Sequence, residues 1–430
     1  MSGFDMIETK KVAASEVGTL TMDDLRDPTS NLPLDWTRIG KDCEEEDEHA
    51  IRLPIDVVPE DAFDPDDDHL AIIGTSGKKV TKIGGLEGLK LRIICLRSHL
   101  IEKMEGLEGH SETLEQLELY DNQINPLEQL EHMPKLTNLD ISFNAIRSMA
   151  PVANCKLLTE LYIANNKLTS IEGLEELTLL KTLDVGANRL RSMKGIGNLV
   201  NIEHLWMGKN KITEITDLQN LKKVRRLDIQ SNRLTKIENL ENQVDCLEEL
   251  YLASNGFDDE GLQPDSGITL PFKNLNVLDL SKNKISKLSH FSHLTSLDEL
   301  WIAENDVSFF SEVGALAPNN LDCVYLEHNP IAKDFDYRKK LKDLLPTLTQ
   351  IDANAVGREG GGMVGGGFSN NSGAVAGYGM AAMTDEQRVK VMRILQQQAL
   401  QKAKAEQEKQ AAGAAGTTTT KNMMGPALPP

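Results

Sequence analysis

The sequence has few aromatic residues, few cysteines, a deficit of positive charge and no long apolar run. Aromatic side chains make up 4% of the 430 residues, so a large core must be aliphatic. The net charge of −20 argues against nucleic acid and against an anionic membrane as the main partner, because phosphate groups attract basic surfaces. A basic protein is the better candidate for a partner.

The five cysteines are odd in number, far apart and without metal-ligand spacing, which favours a reducing compartment. No window approaches the run of about 18 apolar residues that spans a bilayer, and residues 1–12 lack the apolar segment of a signal peptide. We therefore expect a soluble protein of the nucleus and cytoplasm. No nucleophile elbow, glycine-rich phosphate loop or HExxH motif occurs, so we expect no enzyme activity, cofactor or metal.

One short pattern, LxxLxLxxN, recurs along most of the chain with a step close to 22 residues. Self-similarity at this period is typical of a leucine-rich repeat. A weaker copy at 91–99 has His99 where the others have Asn. The terminal Asn of the pattern stands at Asn122, Asn144, Asn166, Asn188, Asn210, Asn232, Asn255, Asn283, Asn305 and Asn329.

Each copy predicts a short strand whose two leucines point into the core, while the residue between them points outward. Stacked strands predict a curved parallel sheet with the outward residues on its concave face, and the Asn side chains form a ladder at the turns. Ile212, Ile215 and Leu218 lie three apart, which predicts 3₁₀ or short helical segments on the convex face. The predicted fold class is an α/β leucine-rich-repeat solenoid with a C-terminal cap helix and disordered tails.

The predicted domain organisation places the repeats in the middle of the chain. Residues 1–70 carry 20 acids and 6 bases, a composition typical of disorder. The step of 28 residues between Asn255 and Asn283 contains an insertion at 256–275, which we expect to be a surface loop. The full division is 1–70 acidic tail, 71–90 N-terminal cap or partial repeat, 91–328 repeats, 329–356 C-terminal cap, 357–383 Gly-rich linker, 384–412 solvated helix and 413–430 disordered tail.

The outward strand positions carry the most information about function, since packing does not require a particular residue there. With 4% aromatics overall, ten positions would hold fewer than one by chance, yet five are aromatic and five acidic. Such a surface is typical of a protein-binding site with aromatic anchors and steering charges. The candidate residues are Glu118, Asp140, Tyr162, Asp184, Trp206, Asp228, Tyr251, Asp279, Trp301 and Tyr325, with Glu160, Glu249 and Glu299 two positions before an aromatic.

A purely structural interpretation is that strands favour aromatics and that acids keep the sheet soluble, but it does not explain why acidic and aromatic residues alternate from one repeat to the next. Glycoside chemistry by a carboxylate pair such as Asp184 and Asp228 is disfavoured, because the two residues lie two repeats apart, about 10 Å, with Trp206 between them. The segment Val307-Ser308-Phe309 lies inside a repeat, and we interpret it as packing.

Several phrases resemble one known family: LYDNQI at 119–124, LDISFN at 139–144, GKNKIT at 208–213, VYLEHNP at 324–330 and the cap ending LPTLTQIDA. They are similar to the nuclear leucine-rich-repeat regulators known as protein phosphatase 1 regulatory subunit 7, over about residues 80–355. The resemblance implies a non-catalytic subunit that binds the phosphatase catalytic subunit and controls its maturation, location and mitotic activity.

The resemblance also implies which positions bind. Tyr162 and Trp206 stand where the family usually has Phe, and Asp184 where it has Glu, so chemical type is kept. The implied residues are Asp140, Tyr162, Asp184, Trp206, Asp279, Glu299, Trp301 and Tyr325. A further phosphatase inhibitor protein in a ternary complex is an additional partner in this interpretation, and the chain itself is expected to be a monomer.

A second hypothesis is a scaffold of the ciliary, dynein-associated or spliceosomal type with similar repeats. Such relatives generally have fewer repeats. Axonemal or splicing partners without phosphatase would favour this alternative.

Overall fold

In a computed structural model, the described residues are 56–58, 67–74, 79–262 and 267–356. They fall within one compact unit that spans 51–368. The predicted linker at 357–383, the helix at 384–412 and the tail at 413–430 lie outside these ranges, as does most of the acidic tail. Among the described residues, no helix combines the length and apolarity needed to cross a membrane.

The described chain forms one sheet of fourteen strands in sequence order. Every neighbouring pair is parallel except the last, which is antiparallel. The strands are β1 His69–Ile73, β2 Ile93–Arg97, β3 Gln116–Glu118, β4 Asn138–Asp140, β5 Glu160–Tyr162, β6 Thr182–Asp184, β7 His204–Trp206, β8 Arg226–Asp228, β9 Glu249–Tyr251, β10 Val277–Asp279, β11 Glu299–Trp301, β12 Cys323–Tyr325, β13 Gln350–Ile351 and β14 Asn354–Ala355.

The leucines of the repeat form a continuous core behind the sheet. Leu183 and Val185 flank Asp184 and are fully buried, and the same holds for the pair around each outward residue. Ile212, Ile215 and Leu218, on the segment that returns from β7 to β8, are also fully buried. No single repeat could bury this much apolar surface alone, so each depends on its neighbours.

The returning segments are only partly helical. Within the described residues the 3₁₀ helices are Glu108–His110, Leu130–His132, Ala150–Asn154, Gly267–Thr269, Ser289–Phe291, Ala317–Asn319 and Pro330–Lys333, and the α-helices are α1 Phe310–Gly314 and α2 Tyr337–Leu344. Between β5 and β9 the returning segments consist of turns and bends. The spacing of three therefore predicts which residues are buried better than it predicts a regular helix.

The regular spacing of Asn along the chain produces a hydrogen-bonded ladder at the turns. Asn188 is typical: its Nδ2 donates to the carbonyls of Ile163, Val185 and Gly186, and its Oδ1 accepts the amide of Leu168. The residue before each ladder position has a positive φ of 51 to 62°, which turns the chain sharply out of the strand. The ladder thus fixes each turn to the turn before it.

The two ends of the ladder use other side chains. His99 replaces Asn in the first copy, since its Nδ1 accepts the amide of Val80 and its Nε2 lies 3.2 Å from the carbonyl of Ile72. At the other end Asp352 accepts the amides of Leu326 and Glu327. Tyr337 and Leu341 of α2 cover the last repeat.

Three expectations from the sequence need correction. The boundary at residue 70 falls inside β1, and Val58 is buried with its amide donating to the carbonyl of Gly84, because apolar residues of the acidic segment pack on the first repeat. The insertion at 256–275 is not a simple surface loop, since Phe257, Leu262, Ile268 and Phe272 are buried and enlarge the core. In the Val307-Ser308-Phe309 segment Val307 packs inside, but Phe309 is 70% exposed.

Candidate protein-binding face of the sheet

The thirteen candidate residues all lie on one side of the sheet, which we call the sheet face. Strand register aligns them in two rows. The first row runs through Glu118, Asp140, Tyr162, Asp184, Trp206, Asp228, Tyr251, Asp279, Trp301 and Tyr325, each paired with the next across neighbouring strands. Glu160, Glu249 and Glu299 belong to the second row, two residues earlier on each strand.

Aromatic side chains of the first row are held in place by the glutamates of the second row. The hydroxyl of Tyr162 donates to Glu160 over 3.1 Å, and that of Tyr251 donates to Glu249 over 2.8 Å. The indole N–H of Trp301 donates to Glu299 over 3.0 Å. These bonds set the rings in position before any partner arrives, which lowers the entropy cost of using them as anchors.

The aromatics form a continuous surface near the C-terminal end of the sheet. Tyr251 and Trp301 meet edge to face with ring centroids 6.1 Å apart, across the strand that carries Asp279. Trp301 and Tyr325 meet in the same way at 5.5 Å. Edge-to-face contacts of this kind stabilise by about 1 kcal/mol each beyond their burial.

The aspartates of the first row are largely buried by the rings beside them. Asp184 is only 5% exposed, although it points to the outer side of the sheet. Burial raises the pKa of Asp184 to about 7 and that of Asp228 to about 6, and it also raises the pKa values of Asp140 and Asp279. A sequence-based interpretation cannot give this result, because it depends on the rings of adjacent repeats.

Each aspartate also has a local structural role. Asp140, Asp184, Asp228 and Asp279 accept, through Oδ1, the backbone amide two residues later in the chain. This bond stabilises the exit from the strand and explains why Asp suits the position without any partner. The second carboxylate oxygen of Asp184 has no such bond to the backbone.

Two arginines lie on the sheet face, and the sequence analysis missed both. Arg97 forms ion pairs with Glu118 at 2.9 Å and Asp140 at 3.5 Å. Arg226 pairs with Glu249 at 2.8 Å and lies over the ring of Tyr251 at 4.5 Å. Both could have been found by reading every outward position of the strands rather than only the acidic and aromatic ones.

The elevated pKa of Asp184 gives a prediction about stability. The folded state keeps the Asp184 proton up to about pH 7, whereas an unperturbed aspartate loses it near 3.8, so the folded state binds more protons in between. The contribution of the protonated Asp184 carboxyl to the free energy of unfolding is therefore fully present at low pH and is lost as pH rises through 7. Asp184→Asn should raise the free energy of unfolding at pH 8 by on the order of 2 kcal/mol.

The measurement is urea unfolding of both proteins at pH 5 and pH 8. Asn keeps an Oδ1 that accepts the amide of Gly186, so the local bond is preserved. The increase in the free energy of unfolding caused by Asp184→Asn should be smaller at pH 5 than at pH 8. A variant that is equally destabilised at both values would contradict the account.

Comparison with known proteins identifies the repeats. Models of leucine-rich repeats match residues 156–198 and 273–312, and a single-repeat model matches 246–264. The fold is a leucine-rich-repeat solenoid. A solved leucine-rich-repeat protein of Leptospira interrogans is 24% identical over 61% of this chain and 78% of its own, with a TM-score of 0.46.

Three curated relatives align with parts of the solenoid. Protein phosphatase 1 regulatory subunit pprA of Dictyostelium discoideum is 43% identical over 75 residues, 17% of this chain and 22% of that protein. Protein phosphatase 1 regulatory subunit SDS22 of Saccharomyces cerevisiae is 35% identical over 136 residues, 28% of this chain and 39% of that protein. Human leucine-rich repeat-containing protein 36 is 40% identical over 94 residues, 21% of this chain and 12% of that protein. This chain thus spans well under half the length of these relatives.

Proposed function

We propose that this protein is a non-catalytic regulatory subunit that binds the protein phosphatase 1 catalytic subunit through the sheet face. In this proposal it controls the maturation, location or activity of the phosphatase, including in mitosis, and acts in the nucleus and cytoplasm. The observation that carries the choice of partner is the 35–43% identity to proteins named protein phosphatase 1 regulatory subunits. A non-catalytic role is supported by the same names and by the repeat fold.

The chemistry of the sheet face supports a folded, basic partner. Aromatic anchors enriched in Trp and Tyr, with complementary charge around them, are typical of the residues that dominate binding energy. Tyr251, Trp301 and Tyr325 form such a group, and their tips are oriented by hydrogen bonds. Asp184 and Asp228 lie between aromatic rings, where a lysine or arginine of the partner would meet a carboxylate in a surrounding of low polarity.

This arrangement predicts that affinity depends on pH. Burial raises the pKa of Asp184 to about 7 and that of Asp228 to about 6, so both are partly protonated near pH 6. A cationic side chain favours the ionised form, so binding should release protons and become tighter as pH rises from 6 to 8. We expect roughly a three- to tenfold fall in Kd over this interval, measured by calorimetry in buffers of different ionisation enthalpy.

Asp184→Asn is the matched variant for this measurement. It should bind more weakly at pH 8 and show a flatter pH dependence. An affinity of the natural protein that falls between pH 6 and pH 8 would contradict the role given to these carboxylates.

The experiment that tests the proposed function is a binding measurement between the full chain and the purified phosphatase catalytic subunit. We expect a complex that contains one copy of each chain. Affinity purification with mass spectrometry then asks whether a further inhibitor protein joins the complex. Recovery of axonemal or splicing proteins without phosphatase would favour the scaffold alternative, and failure of the purified proteins to bind would reject the proposal.

A further inference from the structure

The centre of the sheet face has a group of polar atoms without hydrogen-bond partners. Across the described ranges, eight buried side-chain nitrogen or oxygen atoms lack a partner. Three of them come from two adjacent strands, β7 and β8: Nδ1 of His204, Nε1 of Trp206 and Nε of Arg226. Buried polar groups in folded proteins are normally paired, so a cluster of unpaired ones points to a bound group.

Strand register brings these three side chains together. His204 is the direct neighbour of Arg226 across the β7–β8 pair, and Trp206 lies two residues after His204 on the same strand. The guanidinium of Arg226 lies 5.7 Å from the centre of the Trp206 ring. Trp206 is only 8% exposed and the three unpaired atoms are buried, so a partner atom reaches them only when the partly exposed side chains of His204 and Arg226 shift on binding.

A comparison between repeats explains why the N–H of Trp206 is free. In the repeats of Tyr162, Tyr251 and Trp301, a glutamate two residues earlier accepts the polar hydrogen of the ring. In the repeat of Trp206 that position is His204, and the two rings stack with an angle of 21° between their planes. Stacking directs the in-plane N–H of the indole away from His204, so no internal acceptor replaces the glutamate.

We infer that the His204–Trp206–Arg226 group is a donor subsite that takes an uncharged carbonyl oxygen from the bound partner. This inference rests on the proposed function for the identity of that partner. The indole N–H is a pure donor, and the Nε–H of Arg226, on a guanidinium 5.7 Å from the ring centre, is a second one. The required ligand is therefore an acceptor.

The surrounding charges decide which acceptor fits. Asp184 and Asp228 flank Trp206 on the neighbouring strands, and Glu249 already neutralises Arg226 at 2.8 Å. These groups would repel a carboxylate or a phosphate. A backbone carbonyl or the side-chain oxygen of Asn or Gln fits, next to a basic side chain that pairs with Asp184 or Asp228. The sheet face thus does not bind only cationic groups, because the repeat of Trp206 binds a neutral acceptor of the partner.

Trp206→Phe removes the donor and keeps most of the ring. Binding of the full chain to the purified phosphatase catalytic subunit should weaken by about three- to tenfold, since one acceptor of the partner is left unpaired. Trp301→Phe is the comparison variant, because the N–H of Trp301 is already used by Glu299 inside the chain, and its loss of affinity should be smaller than that of Trp206→Phe. Phe309→Leu, at an exposed position away from the sheet face, is the control that should bind like the natural protein.

His204→Gln tests the same inference by supplying an acceptor for the Trp206 N–H inside the chain. A glutamine oxygen at this position can accept the Trp206 N–H as Glu299 does for Trp301, without adding charge. The melting temperature should therefore rise while affinity for the phosphatase falls. An unchanged melting temperature would show that the donor is already satisfied and would overturn the inference.

The indole resonance of Trp206, assigned by its loss in Trp206→Phe, gives a readout that loss of packing would not mimic. It should shift downfield when the complex forms. Equal affinity of Trp206→Phe and Trp301→Phe, or an unmoved resonance, would reject the subsite while leaving the proposed function intact. Failure of the natural protein to bind the phosphatase would instead reject the proposed function, and with it the phosphatase as the source of the carbonyl.

Discussion

Replacing Asp184 and Trp301 together by alanine is expected to lower affinity for the phosphatase catalytic subunit by about two orders of magnitude or more. Trp301 lies in the middle of the aromatic group, with Tyr251 on one side and Tyr325 on the other. Asp184 is a buried carboxylate that a cationic group of the partner would neutralise. The two residues lie several strands apart, so their effects should be close to additive.

The measurement is a pull-down followed by titration calorimetry, with thermal unfolding of each variant as a check on folding. A matched control is Asp245→Ala with Phe309→Ala, which removes one exposed carboxylate and one exposed aromatic away from the sheet face. The control should bind like the natural protein. Equal recovery of phosphatase with both double variants would contradict the assignment of the sheet face as the binding surface.

Asn188→Ala is expected to lower the free energy of unfolding by about 2 to 3 kcal/mol. The amide of Asn188 donates to three backbone carbonyls, but each of these carbonyls also accepts another hydrogen bond in the ladder or sheet. The group left without a partner is the amide of Leu168, whose acceptor is Oδ1 of Asn188. A buried unpaired amide accounts for most of the expected loss, and the small cavity adds to it.

Urea unfolding of Asn188→Ala and of Asn198→Ala provides the comparison. Asn198 is exposed and its side chain donates to the carbonyl of Glu175 over 3.3 Å, so replacing it by Ala should cost less than about 0.5 kcal/mol. Equal destabilisation by the two substitutions would contradict the structural role of the ladder.

The repeat architecture could be predicted from the sequence because two short-range rules determine it. Apolar residues with a period of two fix which side of each strand enters the core, as Leu183 and Val185 do around Asp184. The recurring Asn marks each turn, and even its replacement by His99 was visible as a break in the pattern. The positions of the sheet face follow directly from that register.

Properties that depend on neighbouring repeats could not be predicted in the same way. The burial of Asp184 and Asp279 requires the rings on adjacent strands, so their raised pKa values have no signature in the local sequence. The insertion was predicted to be a surface loop because Phe257 and Phe272 follow no repeat spacing, although both are buried.

The polar pairs on the sheet face show the same limit. A sequence pattern shows that His204 replaces a glutamate, but the consequence for the Trp206 N–H appears only once the stacked rings are seen. The ion pairs of Arg97 and Arg226 could not be predicted either, because their partners Glu118 and Glu249 lie on other strands, although the arginines themselves occupy outward positions of the strand pattern.

Side-chain footprinting of the complex tests the central claim most directly. Hydroxyl radicals oxidise exposed aromatic side chains, so the full chain is compared alone and with the phosphatase catalytic subunit. Oxidation of Tyr251, Trp301 and Tyr325 should fall in the complex, while that of Phe309 and Phe335, which are exposed away from the sheet face, should not change. A complex in which Phe309 or Phe335 is protected and the three sheet-face aromatics are oxidised as in the free chain would contradict the account.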